Sequence, residues 1–260
     1  MIIKFQDKFE SILYAVLYSN LTGYFLSSKN EPDNLFKEEI FIDIDNLNWS
    51  EILQQHDHKF GPVKWLKNKN EDFEQFKNNI ETALRHWKAF KYQVIIGLIR
   101  QALKFGILYV NNKSSQEAKN LLDLASQVRK EIHRALGFIR FIPVEKGQEK
   151  FLLGCFEEES QVGDLVIKNF KNRYFGYNLL LKTPKLIYFL YQDKLYQLPT
   201  EKFNLEINDK NFEKFWEVFY QANFIAGRKN TKLAQKLIPK KYWSWVKEGK
   251  LINLADKGLL

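Results

Sequence analysis

Glu131 and His133 stand two residues apart in the string VRKEIHRALGFIRF, residues 128–141. A carboxylate and an imidazole are common proton movers near neutral pH. Nearby arginines can stabilise developing phosphate charge. On a helical wheel, Val128, Ile132 and Ala135 share the face that turns inward. Arg129 and His133 are neighbours four residues apart. Glu131 lies on the opposite flank, so an intrahelical Glu131–His133 pair is geometrically poor. The two can act together only from different sides of a folded cleft. His133 is one turn from the helix end, where the dipole favours a protonated imidazole. It could hold a phosphate there, or cap the helix. Glu131 could instead pair with Arg134 or Arg140 and organise the helix–strand turn. Arg140, read as a strand residue, shares a side with Phe138 and Ile142. It either snorkels to the rim or points into a polar cleft.

A second chemical string is RKNTKLAQKLIPKKYW, residues 228–243, with six Lys/Arg and no acid. Arg228 is a credible anion contact just before a new helix, and Asn230 a credible N-cap. Lys236, Lys240 and Lys241 extend the positive stretch, while Leu233 and Leu237 mark a buried face. Lysine and arginine bind phosphates without reading bases. Tyr242, Trp243 and Trp245 could stack on an unpaired base, or lock the last segment onto the core. Arg173 follows an amphipathic helix and is either a phosphate clamp or a solvated helix-end residue.

The charge is one-sided. The chain has 260 residues and formal charge +9. Residues 1–127 hold 16 Lys/Arg and 16 Asp/Glu, and residues 128–260 hold 24 and 15. The excess therefore lies in the second part, and such a surface attracts polyanions. Nucleic acid is the first partner to consider, with an acidic protein as the other choice. There is no Gly-x-Gly-x-x-Gly, no phosphate-binding loop ending in Gly-Lys-Ser/Thr, and no His-Glu-x-x-His. Cys155 is alone, which excludes a disulfide framework and a cysteine cluster. Its setting, FLLGCFEE, reads as the end of a buried strand. His56 and His58 flank Asp57 but lack a second ligand pair, so solvated histidines and no metal are expected. No cofactor is expected. No segment resembles a membrane span or a signal peptide, and the default expectation is a cytoplasmic protein.

The elements follow from hydrophobic period. Phe9, Ile12, Leu13, Val16, Leu17 and Leu21 recur at helical spacing. EIFIDIDNL alternates as a short strand. Residues 49–59 read as a short helix stopped at Gly61-Pro62. Helical patterns then run through Phe73–Trp87 and, as one core helix, residues 92–110. NNKSS breaks the chain, with Ser114 or Ser115 as the cap of the helix through Ile132. Ser114 and Glu117 also have capping-box spacing. After Gly137 the period changes to two. Two strands meet near Gly147, Ser160 caps a helix, and further strands turn at Thr183-Pro184 and Gln192-Asp193. Helices return at about 209–225 and 229–237. The expected class is α+β: a helical N-terminal layer packed on a small antiparallel sheet with C-terminal helices. We read 1–260 as a single domain, mainly helical in 1–127 and basic α+β in 128–260.

These strings resemble a family of bacterial proteins described as probable DNA metabolism proteins, whose shared region is the DUF4130 domain. Val128, Glu131, His133, Gly137, Phe138, Arg140 and Phe141 fit Val-x-x-Glu-x-His followed by Gly-Phe-x-Arg-Phe. Ile225, Arg228, Asn230, Gln235, Pro239, Tyr242 and Trp243 fit Ile-x-x-Arg-x-Asn…Gln…Pro-x-x-Tyr-Trp. The resemblance implies DNA repair or modification. It also implies as partners a radical-SAM-type protein, often encoded nearby, or a uracil-DNA-glycosylase-like domain, sometimes fused. The family pattern has His-Phe-x-x-Arg between the strings. Here NFKNR keeps Phe170 and Arg173 but puts Asn169 in place of the histidine. YNLLLK also lacks the strand aspartate that follows in the family.

The leading expectation is a nucleic-acid-binding accessory protein. Arg140, Arg173, Arg228, Lys240 and Lys241 would form its anion surface, with Asn230, Gln235, Tyr242 and Trp243 stacking or structural. One alternative is a DNA- or nucleotide-processing enzyme using Glu131, His133 and the arginines. Another is a non-enzymatic partner of a radical-SAM-type protein.

Overall fold

The computed structural model describes residues 1–30, 40–146, 149–202, 233, 236–243, 245 and 246. It is a mixed α+β protein with two compact units, Met1–Lys130 and Glu131–Leu260.

The first unit begins with a strand. β1 (Ile2–Phe5) is flanked in parallel by β2 (Phe25–Ser28) and β3 (Phe41–Asp43). The N-terminal half was expected to be a helical layer, and this sheet adds to it. β3 falls in the alternating segment EIFIDIDNL read as a short strand, whereas β1 and β2, of four residues each, are too short for alternation to stand out. Helix α1 (Phe9–Thr22) makes the crossover that a parallel pair requires. Its Phe9, Ile12, Leu13, Val16 and Leu17 are buried with Ile3 and Phe5. Gly23 ends it at φ 76°, a left-handed conformation that glycine adopts without strain.

The helices that follow are capped by short polar side chains. Asn48 Oδ1 accepts from the Ser50 amide at 3.1 Å at the start of α2 (Trp49–Phe60). Asn70 Oδ1 accepts from the Phe73 amide at 3.1 Å before α4 (Glu71–Leu84). Between them lies α3 (Lys64–Lys67). The segment 92–110 is not one helix. Gly106, at φ 85°, separates α5 (Lys91–Phe105) from α6 (Ile107–Asn111). Ser115, not Ser114, caps α7 (Gln116–Phe138) by accepting from the Ala118 amide at 3.1 Å. Glu117 is instead bonded to Gln101 at 2.9 Å. Phe9, Trp65, Phe73 and Phe76 pack edge-on or tilted at 5.8–6.1 Å in the core. Lys91 is buried and reaches Asp7 at 3.0 Å, while the Tyr92 hydroxyl donates to Asp7 at 2.8 Å. That cluster ties the start of α5 to the β1–α1 turn.

The second unit is built on a five-stranded sheet. Its order is β4 (Ile142–Lys146), β5 (Glu149–Cys155), β6 (Asn178–Lys182), β7 (Leu186–Tyr191) and β8 (Lys194–Pro199). All neighbours are antiparallel except β5 and β6, which run parallel through α8 (Gly163–Arg173). The expected antiparallel sheet is therefore mixed. A helix cannot return the chain to a neighbouring strand in a two-residue hairpin. Gln192 and Asp193 make the β7–β8 turn at φ 43° and 67°, as the sequence predicts.

Leu180 and Ile187 cluster with Phe151 and Leu153 on one face of the sheet. On the other face two glycines allow close approach. A β-carbon on Gly163 would fall 2.1 Å from the buried ring of Tyr188, and one on Gly154 would fall 2.8 Å from Ile139. Val166, Ile167 and Phe170 are the buried face of α8, with Phe141 edge-on to Phe170 at 4.8 Å.

Three local expectations are corrected. Phe138 is still helical, and residues 139–141 precede β4, so the pleat argument for Arg140 does not apply. Ser160 does not cap α8, whose N-cap position is Val162. Cys155 does end a strand but is exposed, beyond the buried part of its face. The expected helices at 209–225 and 229–237 lie almost wholly outside the described residues. Leu233 and Leu237, expected to be buried, are exposed.

Candidate functional site

Glu131 is 4 % exposed. Its Oε1 accepts from the backbone amides of Glu159 at 2.5 Å and Ser160 at 3.2 Å. Burial pushes the carboxyl above its ordinary range, while the hydrogen bonds from Ser160 and Glu159 pull against that shift. The adjacent Glu158 is half-buried. It accepts from the Thr183 hydroxyl at 2.9 Å and from the Gly163 amide, the first of α8, at 3.3 Å. Burial also raises its carboxyl, and the nearby Glu131 adds to the shift. Two carboxylates therefore fix the loop between β5 and α8. Glu131 holds it to α7, and Glu158 holds the helix start to the end of β6.

The same loop reaches the C-terminal string. Glu159 Oε2 lies 2.5 Å from Lys241 Nζ, with both side chains about half exposed. Tyr242 is buried, and its hydroxyl accepts from Arg134 Nη1 at 3.3 Å, with the guanidinium 5.6 Å from the ring centre. Trp243 is also buried and donates through Nε1 to the Ile238 carbonyl at 2.9 Å. Trp245 packs edge-on against Phe156 at 5.4 Å and Tyr242 at 5.8 Å. The strings 128–141 and 236–246 thus meet through Arg134–Tyr242 and through the chain Glu131–Glu159–Lys241. In this arrangement Tyr242 and Trp243 are packing residues. They mount the 3₁₀ turn Lys240–Tyr242, on which Lys240 remains exposed.

The other candidate residues are placed differently. His133 is exposed on α7. Arg140 turns back on the helix end, with Nη1 donating to the Gly137 carbonyl at 2.7 Å. That is the ordinary use of a cation at a helix C-terminus. Arg173 is exposed at the last position of α8, and Asn169 donates to the Leu165 carbonyl at 2.9 Å within the same helix. Arg228, Asn230 and Gln235 lie outside the described residues. Among the described residues no group of three or more His, Cys, Asp or Glu could hold a metal ion. No helix of the described residues is long and apolar enough to cross a membrane.

Two features escaped sequence reasoning. One is Glu158, which looks like one solvated acid in a run of three. The other is the loop after α8, Tyr174-Phe175-Gly176-Tyr177. Phe175 is 90 % exposed and Tyr177 51 % exposed, beside a cavity of about 620 Å³ that Lys171 and Asn178 help to line. Gly176, at φ 84°, makes the turn between the two rings. Interleaved cations and aromatics at 168–177 were the available signal, but an aromatic residue is by default assigned to a core.

A family model described as a domain of unknown function, DUF4130, matches residues 89–248. That is more than half of the chain, and the protein belongs to this family. No curated protein matches it.

Proposed function

We propose that this DUF4130 protein binds nucleic acid as an accessory factor in DNA repair or modification, acting in the cytoplasm of a bacterium. The observation that carries the reading is the exposed aromatic pair Phe175 and Tyr177 beside the cationic end of α8. Burying neither ring in the fold forgoes a large apolar gain. Stacking on unpaired bases recovers it, typically about 1–3 kcal/mol per base. Arg173 supplies a cation there, while Lys171 is already paired with Asp193 at 2.7 Å. The charge excess of residues 128–260 supports the same partner.

Binding is favoured over catalysis by the state of Glu131. Its Oε1 is occupied by two backbone amides, so taking a proton from a substrate would weaken the loop it holds. A radical-SAM-type or uracil-DNA-glycosylase-like partner would then supply the chemistry. Fluorescence anisotropy with short single- and double-stranded DNA, at graded salt, tests the reading. Single strands should bind more tightly, with log affinity falling linearly in log salt. Phe175→Ala with Tyr177→Ala should lose most of the single-strand preference without lowering the melting temperature. Absence of binding by folded protein at low salt refutes direct nucleic-acid recognition.

A further inference from the structure

The first unit holds a cavity of about 630 Å³ between the end of α2, the Gly61-Pro62 turn and the end of α5. That is the size range of small-molecule sites. Its wall includes His56, Phe60, Lys64, Trp65, Arg100 and Lys104, and no Asp or Glu. His56 was expected to be solvated. It is 4 % exposed, and its Nδ1 has no hydrogen-bond partner among the described residues. Burial lowers its pKa, against the pull of Asp57, so the ring is neutral near pH 7. A buried polar atom without a partner is costly. Lys64, Arg100 and Lys104 make no ion pair among the described residues. Asp57, the nearest acid in sequence, is already taken by Lys67 at 2.8 Å and by the Val63 amide at 3.2 Å. The aromatic side of the wall is held in place. Trp65 Nε1 donates to the Ala102 carbonyl at 3.1 Å, and the His56 and Phe60 rings lie 4.9 Å apart.

We infer that this cavity binds a small organic phosphate of mononucleotide size. Three cations without a competing carboxylate select the phosphate. The Trp65 and Phe60 side chains suit a planar ring. The His56 ring, 4.9 Å from that of Phe60, adds to the same aromatic wall. This site shares no residue with the proposed nucleic-acid surface.

The test is calorimetric titration of the full chain with adenosine, cytidine, guanosine and uridine 5′-monophosphates. Ribose 5-phosphate, inorganic phosphate and adenosine are the comparison ligands. At least one monophosphate should bind one-to-one with Kd below about 1 mM. Arg100→Ala with Lys104→Ala, at exposed positions, should weaken it at least about tenfold. His56→Leu should weaken it similarly while leaving ribose 5-phosphate and inorganic phosphate unchanged. If that variant does not fold, the double variant alone decides. No saturation by any monophosphate below that limit, or equal binding by the double variant, overturns the proposal. Inorganic phosphate binding as tightly as every monophosphate also overturns it.

Discussion

Replacing Glu131 with alanine is the most direct probe of how α7 and the β5–α8 loop are joined. The change removes an oxygen that accepts from two amides, at 2.5 Å and 3.2 Å. Ser160 is 1 % exposed, so its amide would be left buried without a partner. Such a loss costs about 1–3 kcal/mol. Glu159 is exposed, so its amide can turn to water at little cost. Removing the buried charge returns part of its desolvation energy. The net expectation for Glu131→Ala near pH 7 is a loss of about 1–3 kcal/mol. Glu131→Gln keeps an acceptor at the same place and should lose less than about 1 kcal/mol. The pH dependence separates charge from geometry. Burial raises the folded-state pKa of Glu131 above its ordinary 4.5. Between 4.5 and the raised value the folded state holds more proton than the unfolded state. Wild-type stability from this group is therefore fully present below 4.5 and is lost as pH rises through the raised value. Glutamine does not titrate, so its stability relative to wild type should improve as pH rises through that window. Urea unfolding of the three proteins from pH 4.5 upward reads both quantities. The reasoning is refuted if Glu131→Ala costs less than about 0.5 kcal/mol. It is refuted equally if the glutamine variant shows no pH-dependent gain.

Four further outcomes follow from the same contacts. Gly163→Ala should lower stability by about 1–3 kcal/mol, because its methyl would meet the Tyr188 ring; a melting temperature equal to wild type would contradict the packing. Tyr242→Phe should cost about 0.5–1.5 kcal/mol through loss of the Arg134 hydrogen bond, seen by urea unfolding. Lys240→Ala should weaken DNA binding and reduce its salt slope, whereas Lys241→Ala should do so less, since Glu159 already pairs with Lys241. Equal effects of the two lysines on anisotropy would count against the assigned pairing.

Much of the helical order is legible in the sequence because apolar residues at helical spacing must find a core. Phe9 to Leu17 in α1 and Phe73 to Leu84 in α4 are plain cases. The break at Gly106 is not, since the apolar pattern continues across it and only a positive φ reveals the turn. β1 is hidden for another reason. A strand of four residues offers two inward positions, Ile3 and Phe5, which any short apolar run could supply. In the site, the strings containing Glu131 and Tyr242 stand out in the sequence by residue type. Their connection does not, because it passes through Glu159 and Arg134, whose partners lie 82 and 108 residues away. Arg140 misleads for a local reason. α7 extends one residue past Gly137, which converts a supposed strand residue into a helix-end donor.

Chemical type alone does not separate scaffold from site, but hydrogen-bond occupancy does. Glu131 looks like a general base by type, yet its buried oxygen is satisfied by two amides of a loop that must stay in place. Glu158 is likewise occupied, by Thr183 and the first turn of α8. Tyr242 and Trp243 look like stacking residues by type, yet their polar atoms are bonded within the fold and their rings are buried. Phe175 and Tyr177 show the opposite condition, with large apolar surfaces in water. Lys64, Arg100 and Lys104 show it in polar form, as cavity cations without an ion pair among the described residues. A partner molecule can gain free energy only where the folded chain has left some ungained. By that criterion the aromatic loop beside Arg173 and the cavity beside Arg100 are the places to look for ligands. The Glu131–Glu158 pair is the frame of the β5–α8 loop, whose Glu159 pairs with Lys241.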